Sequence, residues 1–309
     1  MTEAPRIDWS DESQWVGLPA EAIPGEEPTP IAQMPPPGSP FVAIGVPCMD
    51  FVDTEFSMCF AAMMAGFRGL TAMLHTQSCY IDEARMEFVN QAKRRRIRLP
   101  DGKIVRPSHL LQIDSDMTFP AMTPQRLLSH KSKDVVGCVY SRRVEPYTNI
   151  GITEDQSIVN APENSPLIPM MLIPTGMMMI HMSVFDRMPE FDEDGPVFGY
   201  KWLPGVNKYE REDVRFCRLV RENGMKVWCD VGLSHHIGHV GKAVYMVDEA
   251  SKRLAAISGA KQVRDANTGE AAPVQTETTP AQMVDISKAV KTHAPDAAAG
   301  QAYQPEAAE

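Results

Sequence analysis

The 309-residue sequence has no Cys-x-x-Cys pair, no basic stretch ahead of an apolar run at its start, no internal repeat and no excess of positive charge. Each absence removes a class of protein. The six cysteines (Cys48, Cys59, Cys79, Cys138, Cys217, Cys229) are scattered and mostly sit in apolar runs. Without paired spacing they read as reduced small hydrophobes of a cytoplasmic protein, bacterial or host-cell. The missing basic and apolar leader regions give no expectation of a secretory signal. A formal net charge of −10 argues against a general electrostatic grip on nucleic acid or an anionic membrane; only a local basic groove stays open. An unbroken apolar run is lacking too. Residues 166–185 approach the ~20 residues of a membrane-spanning helix, but Pro169, Pro174 and Gly176 interrupt them and His181 lies inside. They read as two short buried strands joined at Pro174-Thr175-Gly176, with methionines as core packing and no transmembrane segment.

What is present divides into three parts. Residues 1–40 are acidic and proline-rich and read as a flexible arm, with Trp9 and Trp15 as its apolar exceptions. Residues 41–248 carry the folding pattern. Residues 249–309 turn to Ala, Pro and Thr and read as a disordered tail. Within the middle part, strands are expected at 41–46, 70–74, 110–113 and 135–140. Helices are expected at 53–66, 81–96 and 123–130. Helix 81–96 starts acidic and ends in Lys93-Arg94-Arg95-Arg96, which suits the helix dipole. Residues 99–106, with Pro-Asp-Gly, read as a hairpin-like excursion, and 145–165 as a turn-rich excursion over the site. A helix at 212–223 and a strand at 226–229 follow. Alternating strands and helices predict an α/β fold with a doubly wound, mainly parallel sheet.

The chain is organised around residues 109–120, where the apolar run 110–113 ends in Asp114-Ser115-Asp116. The carboxyl end of a buried strand opens into the crevice where such sheets bind ligands. Two close carboxylates repel, and a divalent cation is the usual remedy. The plain alternative has Asp114 capping the next segment and Asp116 in solvent. Asp213 opens a helix behind a glycine- and aromatic-containing loop, with Glu212 beside it. His239 lies between Gly238 and Gly241, which let backbone approach a ligand closely. It is either a metal ligand or a turn histidine with a satisfied hydrogen bond. A zinc site from Cys229, His235, His236 and His239 matches no standard spacing.

The ordered set of Phe-Val-Ala-Ile-Gly-Val-Pro at 41–47, Asp-Glu-Ala-Arg at 82–85, Leu-Gln-Ile-Asp-Ser-Asp-Met at 111–117, Pro-Thr-Gly-Met-Met-Met-Ile at 174–180, Glu-Asp-Val-Arg-Phe-Cys-Arg at 212–218 and Ile-Gly-His-Val-Gly at 237–241 resembles the nucleotide-sugar-dependent glycosyltransferases of the GT-A fold. The likeness is to small family-2-like members of bacteria and phages. It implies a Rossmann-like αβα sandwich around a mainly parallel sheet. It implies Mn²⁺ or Mg²⁺ as cofactor, with Asp116 the direct ligand, His239 the other, and Asp114 nearer the ribose or the metal's water shell. It implies a UDP- or GDP-sugar donor, with Pro47, Cys48 and Asp50 around the base, Arg85 reaching the base or diphosphate, and Gly176 at the floor of the sugar site. Asp213 would be the general base, and direct attack would invert the anomeric centre. The acceptor stays open between a glycan, a protein, a small molecule and a modified nucleobase. One departure is Met86, where such relatives often carry Asn; it bears on Arg85.

Two rival readings stand beside this one. Ile113-Asp114-Ser115-Asp116-Met117-Thr118 also fits the first motif of a haloacid-dehalogenase-like phosphatase, with Asp114 as nucleophile and Asp116 as acid/base. That motif normally sits on the first strand, whereas two strand–helix units precede it here. The other rival is a transferase-like domain kept as a non-catalytic binding module.

Overall fold

The computed structural model describes residues 17–35, 39–48, 52–76, 78–143, 148–155, 157, 161–241 and 244–247. Asp50, Trp9, Trp15 and the 249–309 tail lie outside these residues. The elements that position the site are, in chain order, β1 (Phe41–Gly45), α1 (Thr54–Gly66), β2 (Leu70–Leu74), α2 (Ile81–Arg94), β3 (His109–Ile113), β4 (Met117–Thr118), α3 (Thr123–Leu128) and β5 (Val135–Gly137). They continue with β6 (Ile152–Thr153), β7 (Ile168–Leu172), β8 (Met177–His181), α4 (Glu212–Glu222), β9 (Val227–Cys229), β10 (Gly238–Val240) and β11 (Val244–Met246). Eight strands form the central sheet in the order β6-β7-β9-β5-β8-β3-β1-β2.

Here the expected mainly parallel sandwich is overturned. Only β1/β2, β1/β3 and β5/β9 pair in parallel. The pairs β6/β7, β7/β9, β8/β3 and β8/β5 are antiparallel. The sheet is mixed, strands dominate the described residues, and the helices among them are short. The physical reason is in the connections. Parallel neighbours need a crossover of a dozen or more residues, usually a helix. The chain supplies helices between β1, β2 and β3, and these three strands are parallel. Among the described residues no helix lies between β5 and β8. It enters between β3 and β5 running against both.

Side chains alternate across this sheet with the period of two that strands impose. Ala43, Leu110, Val135, Met178 and Ile180 join one core with Phe88 and Val89 of α2 and Phe216 and Val220 of α4. Val42, Ile44, Leu111, Ile113, Met177 and Met179 join the other with Phe56 and Met63 of α1 and Leu127 of α3. The methionine-rich run is therefore buried on both faces of a central strand. No helix among the described residues is long and apolar enough to cross a membrane.

Part of the segment expected as an arm packs on the domain. Leu18–Pro19 pairs with the strand Ile104–Arg106, and Thr29–Pro30 with Ile97–Arg98. The basic end of α2 is used in the same place. Arg94 pairs with Glu26, and Arg96 donates to the Glu21 carbonyl at 3.0 Å. The run thus ties the 17–35 segment down.

Candidate metal and donor site

β1 and β3 are parallel neighbours, so their carboxyl ends reach the same edge of the sheet. That edge carries half-buried Pro47 and exposed Cys48 after β1, and Asp114 and Asp116 after β3. β8 starts there as well. The Asp114 N–H donates to the Gly176 carbonyl at 3.0 Å. A Cβ on Gly176 would lie 2.4 Å from the Tyr140 hydroxyl and 2.8 Å from Asp114 Oδ2. The position tolerates no side chain, and the glycine forms a tight floor beside the acidic pair.

A small second sheet brings the histidine to the aspartates. β4 pairs antiparallel with β10, setting His239 opposite Met117. The Val240 N–H donates to the Asp116 carbonyl at 2.7 Å. Residues 123 positions apart in sequence thus become side-chain neighbours: His239 Nε2 is 3.4 Å from Asp116 Oδ2. His239 Nδ1 lies 3.0 Å from the Ser141 carbonyl oxygen. A carbonyl only accepts, so Nδ1 carries a proton. Nε2 faces a carboxylate oxygen, an arrangement that calls for a proton or cation between them.

Arg143 answers part of this demand. Its Nη1 lies 2.8 Å from Asp116 Oδ2 and donates to the Val240 carbonyl at 3.1 Å. Burial alone would push the Asp116 carboxyl up. The His239 ring and Arg143 charge outweigh it and hold the carboxyl below its ordinary value. Asp116 Oδ1 is buried without a hydrogen-bond partner. A carboxylate with one oxygen unpartnered and the other facing an imidazole nitrogen fits a hard or borderline divalent cation. Magnesium-type sites commonly take one or two protein carboxylates and complete their shell with phosphates and water. Among the described residues no group of three or more His, Cys, Asp or Glu side chains converges as a protein-only cage.

Asp114 is differently employed. Its Oδ1 accepts from Arg85 Nη2 at 2.9 Å, and Arg85 Nη1 donates to Gln112 Oε1 at 2.8 Å. Arg85 Nε lies 3.8 Å from Glu212 Oε1. The guanidinium is fully buried; burial opposes its charge, but Asp114 and Glu212 overcome this and raise its pKa. Arg85 therefore links Asp114 to the start of α4 from beneath the site. A direct reach to the nucleotide would require it to leave these partners.

Asp213 follows Glu212 in the first turn of α4 and is half-buried. Burial, then the Glu212 charge, pushes its carboxyl up to about 6, against the Val214 N–H, Arg85 and Arg211. The Tyr140 hydroxyl accepts the Gly176 N–H at 3.1 Å. Burial raises the Tyr140 pKa well above its ordinary value, and Asp114 and Asp213 both add to it. Both carboxylates thus act on one buried hydroxyl, which puts the candidate base and the acidic pair in one neighbourhood.

The alternative zinc cluster does not assemble. Cys229 Sγ lies 3.5 Å from Ser234 Oγ, His235 Nε2 3.0 Å from the Ala161 carbonyl, and His236 Nε2 2.8 Å from Glu163 Oε1. Tyr140, Gln112 and Arg143 were not singled out from sequence. Their roles depend on contacts across strands, and no local spacing marks them.

No family model matches the chain, and no curated protein matches it. Among solved structures, the crystal structure of A197 from STIV is similar at 13% identity, covering 68% of this chain and 91% of that chain, with a TM-score of 0.42. A likeness at that level carries no activity over to this chain.

Proposed function

We propose that this chain is a metal-dependent glycosyltransferase that moves a sugar from a UDP- or GDP-sugar to an acceptor hydroxyl with inversion. The observation that carries the reading is Asp116 Oδ2 facing His239 Nε2 at 3.4 Å, with the other ring nitrogen tied to Ser141. Asp116 and His239 would hold Mn²⁺ or Mg²⁺, whose charge, when bound, offsets the negative charge gained by a diphosphate leaving group. Asp114, steadied by Arg85, lines the donor side, and Gly176, packed against Tyr140 and Asp114, forms its floor. Asp213 accepts the proton of the attacking hydroxyl; a carboxyl near 6 is ionised at neutral pH and still basic enough for that task. The six cysteines are free thiols, which suits a reducing compartment, and we place the protein in the cytoplasm.

The test is calorimetry and nucleotide-release assays with UDP- and GDP-sugars, with and without Mn²⁺. Metal-dependent binding of one nucleotide class, lost in Asp116→Ala, supports the reading. Absence of donor binding together with cleavage of p-nitrophenyl phosphate would replace it with the phosphatase reading.

A further inference from the structure

Five aromatic side chains are exposed among the described residues, and four of them, Phe191, Tyr200, Trp202 and Tyr209, lie between 191 and 209. The centre of this group is a two-stranded hairpin, Lys201–Leu203 against Lys208–Glu210. Trp202 and Tyr209 are direct cross-strand partners, so both rings rise from the same face. Their centroids are 4.8 Å apart at an interplanar angle of 62°. Trp202 is 43% and Tyr209 63% exposed. Burial in the core does not explain these rings.

The hairpin is held firmly. Buried Glu210 accepts two bonds from Arg218 of α4, at 2.7 and 2.9 Å. Lys201 pairs with Asp194. The preceding turn is fixed by fully buried Arg215, which pairs with Asp192 and donates to the Pro196 carbonyl at 2.8 Å. Tyr200 lies against Glu212: burial and that carboxylate push its hydroxyl up to about 12. From Tyr209 the chain runs through Glu210 and Arg211 directly into Glu212 and Asp213. Four residues span at most about 14 Å, so the backbone at Tyr209 lies within about that distance of the backbone at the candidate base.

We propose that the Trp202–Tyr209 face is the acceptor platform and that its occupant is a glycoside. The sugar stacks its C–H face on these rings and presents a hydroxyl to Asp213. This rests on the transferase reading above. Aromatic faces carry negative quadrupole charge and attract the weakly positive C–H groups of a sugar ring. The occupant also needs a hydroxyl for Asp213 to deprotonate, and a glycoside carries several around its ring. A nucleic-acid strand is less well served. Lys201 is paired with Asp194 and the chain carries a net charge of −10, which leaves Lys208 and Arg211 as the other cations of this stretch, few for a grip on a phosphate backbone.

Saturation-transfer NMR on the full chain tests this. The probes are methyl glycosides and short oligosaccharides of glucose, galactose, mannose and N-acetylglucosamine, and a short thymidine oligonucleotide. The proteins are wild type, Trp202→Ala/Tyr209→Ala and Trp202→Phe/Tyr209→Phe, each also titrated with nucleotide-sugar and Mn²⁺. One glycoside series receives saturation at its ring C–H protons, the alanine pair weakens it roughly three- to tenfold, and the phenylalanine pair restores it. Far-UV circular dichroism confirms that both variants fold. No glycoside binding to wild type, undiminished binding to the alanine pair, or binding of the oligonucleotide in place of glycosides overturns the platform. If donor binds and the platform fails, the transferase reading survives. If glycosides bind through Trp202 and no donor binds, the platform survives and the transferase reading falls.

Discussion

Arg143 and His239 share one oxygen of Asp116. A divalent cation bound to that oxygen must displace a guanidinium 2.8 Å away. Arg143→Ala removes the competitor, so Mn²⁺ should bind several-fold more tightly, measured by electron paramagnetic resonance on the donor-free protein. His239→Ala should weaken it by at least about tenfold. Unchanged affinity in both would separate these residues from the cation. Asp213 makes a second prediction at this scale. Its carboxyl is raised to about 6 from 3.8, so turnover should rise with pH through about 6 and level off above it. The sign for stability is opposite. A raised carboxyl favours the protonated fold, so its ionisation removes stability as pH climbs from about 4 past 6. Asp213→Asn should abolish transfer while keeping donor binding, and should raise Tm at pH 8 relative to wild type but not at pH 4. A variant that turns over normally would remove Asp213 from the mechanism.

At the level of elements, Asp230 joins three pieces at the end of β9. Its Oδ1 caps the following turn by accepting the Leu233 N–H at 3.0 Å. Its Oδ2 accepts from Arg126 Nε at 2.6 Å and lies 2.9 Å from His130 Nε2. Burial would raise this carboxyl, but His130, Arg126 and the Leu233 N–H win and hold it far below the ordinary range. A depressed carboxyl contributes stability above about pH 4 that disappears as pH falls further. Asp230→Ala should cost roughly 2–3 kcal/mol in urea unfolding at pH 7, the sum of a lost cap and a broken pair with half-exposed Arg126. The penalty should shrink as the pH drops below 4. A constant penalty would mean that packing alone is lost. The local elements themselves were legible in sequence. The strands 41–46, 70–74 and 110–113 and the helices 53–66, 81–96 and 212–223 all stand within a few residues of the expected bounds. Apolar runs and helical spacing are short-range signals. The Lys93–Arg96 run was legible only as a helix end; its use as an anchor for Glu26 and the Glu21 carbonyl needed the fold.

Across the fold, β3 and β8 bring His109 and His181 into direct register at the strand ends opposite the acidic pair. Their rings meet edge to face at 4.9 Å. Burial pushes His109 well below 6.5, with His181 adding to it, and brings His181 down to about 4, with Arg187 and Arg106 adding to it. Both are neutral in the fold, and the unfolded chain takes protons first. Stability should therefore fall between pH 6.5 and 4, the two histidines together outweighing the opposite contribution of Asp213, before Asp230 begins to matter. Thermal unfolding across that range tests it, with a His109→Phe/His181→Phe pair expected to flatten the slope. An unaltered slope in the double variant would assign the loss elsewhere.

These two histidines sit 72 positions apart, and Asp116 and His239 123 apart. No local pattern links either pair. Composition and periodicity dictated where most of the main strands and helices fall, where the acidic pair ends its strand, and that Gly176 stands just ahead of one; that His239 sits in the middle of the strand Gly238–Val240 they did not show. Those features depend on a residue and its near neighbours: apolar period, turn chemistry, helix dipole. Strand direction, the antiparallel entry of β8, the pairing of β4 with β10 and the arrival of Arg143 at Asp116 were left to tertiary packing. A strand's own side chains state which faces it buries but not which neighbour covers its edges or in which direction that neighbour runs. Chain connections and the shape of the shared core settle both.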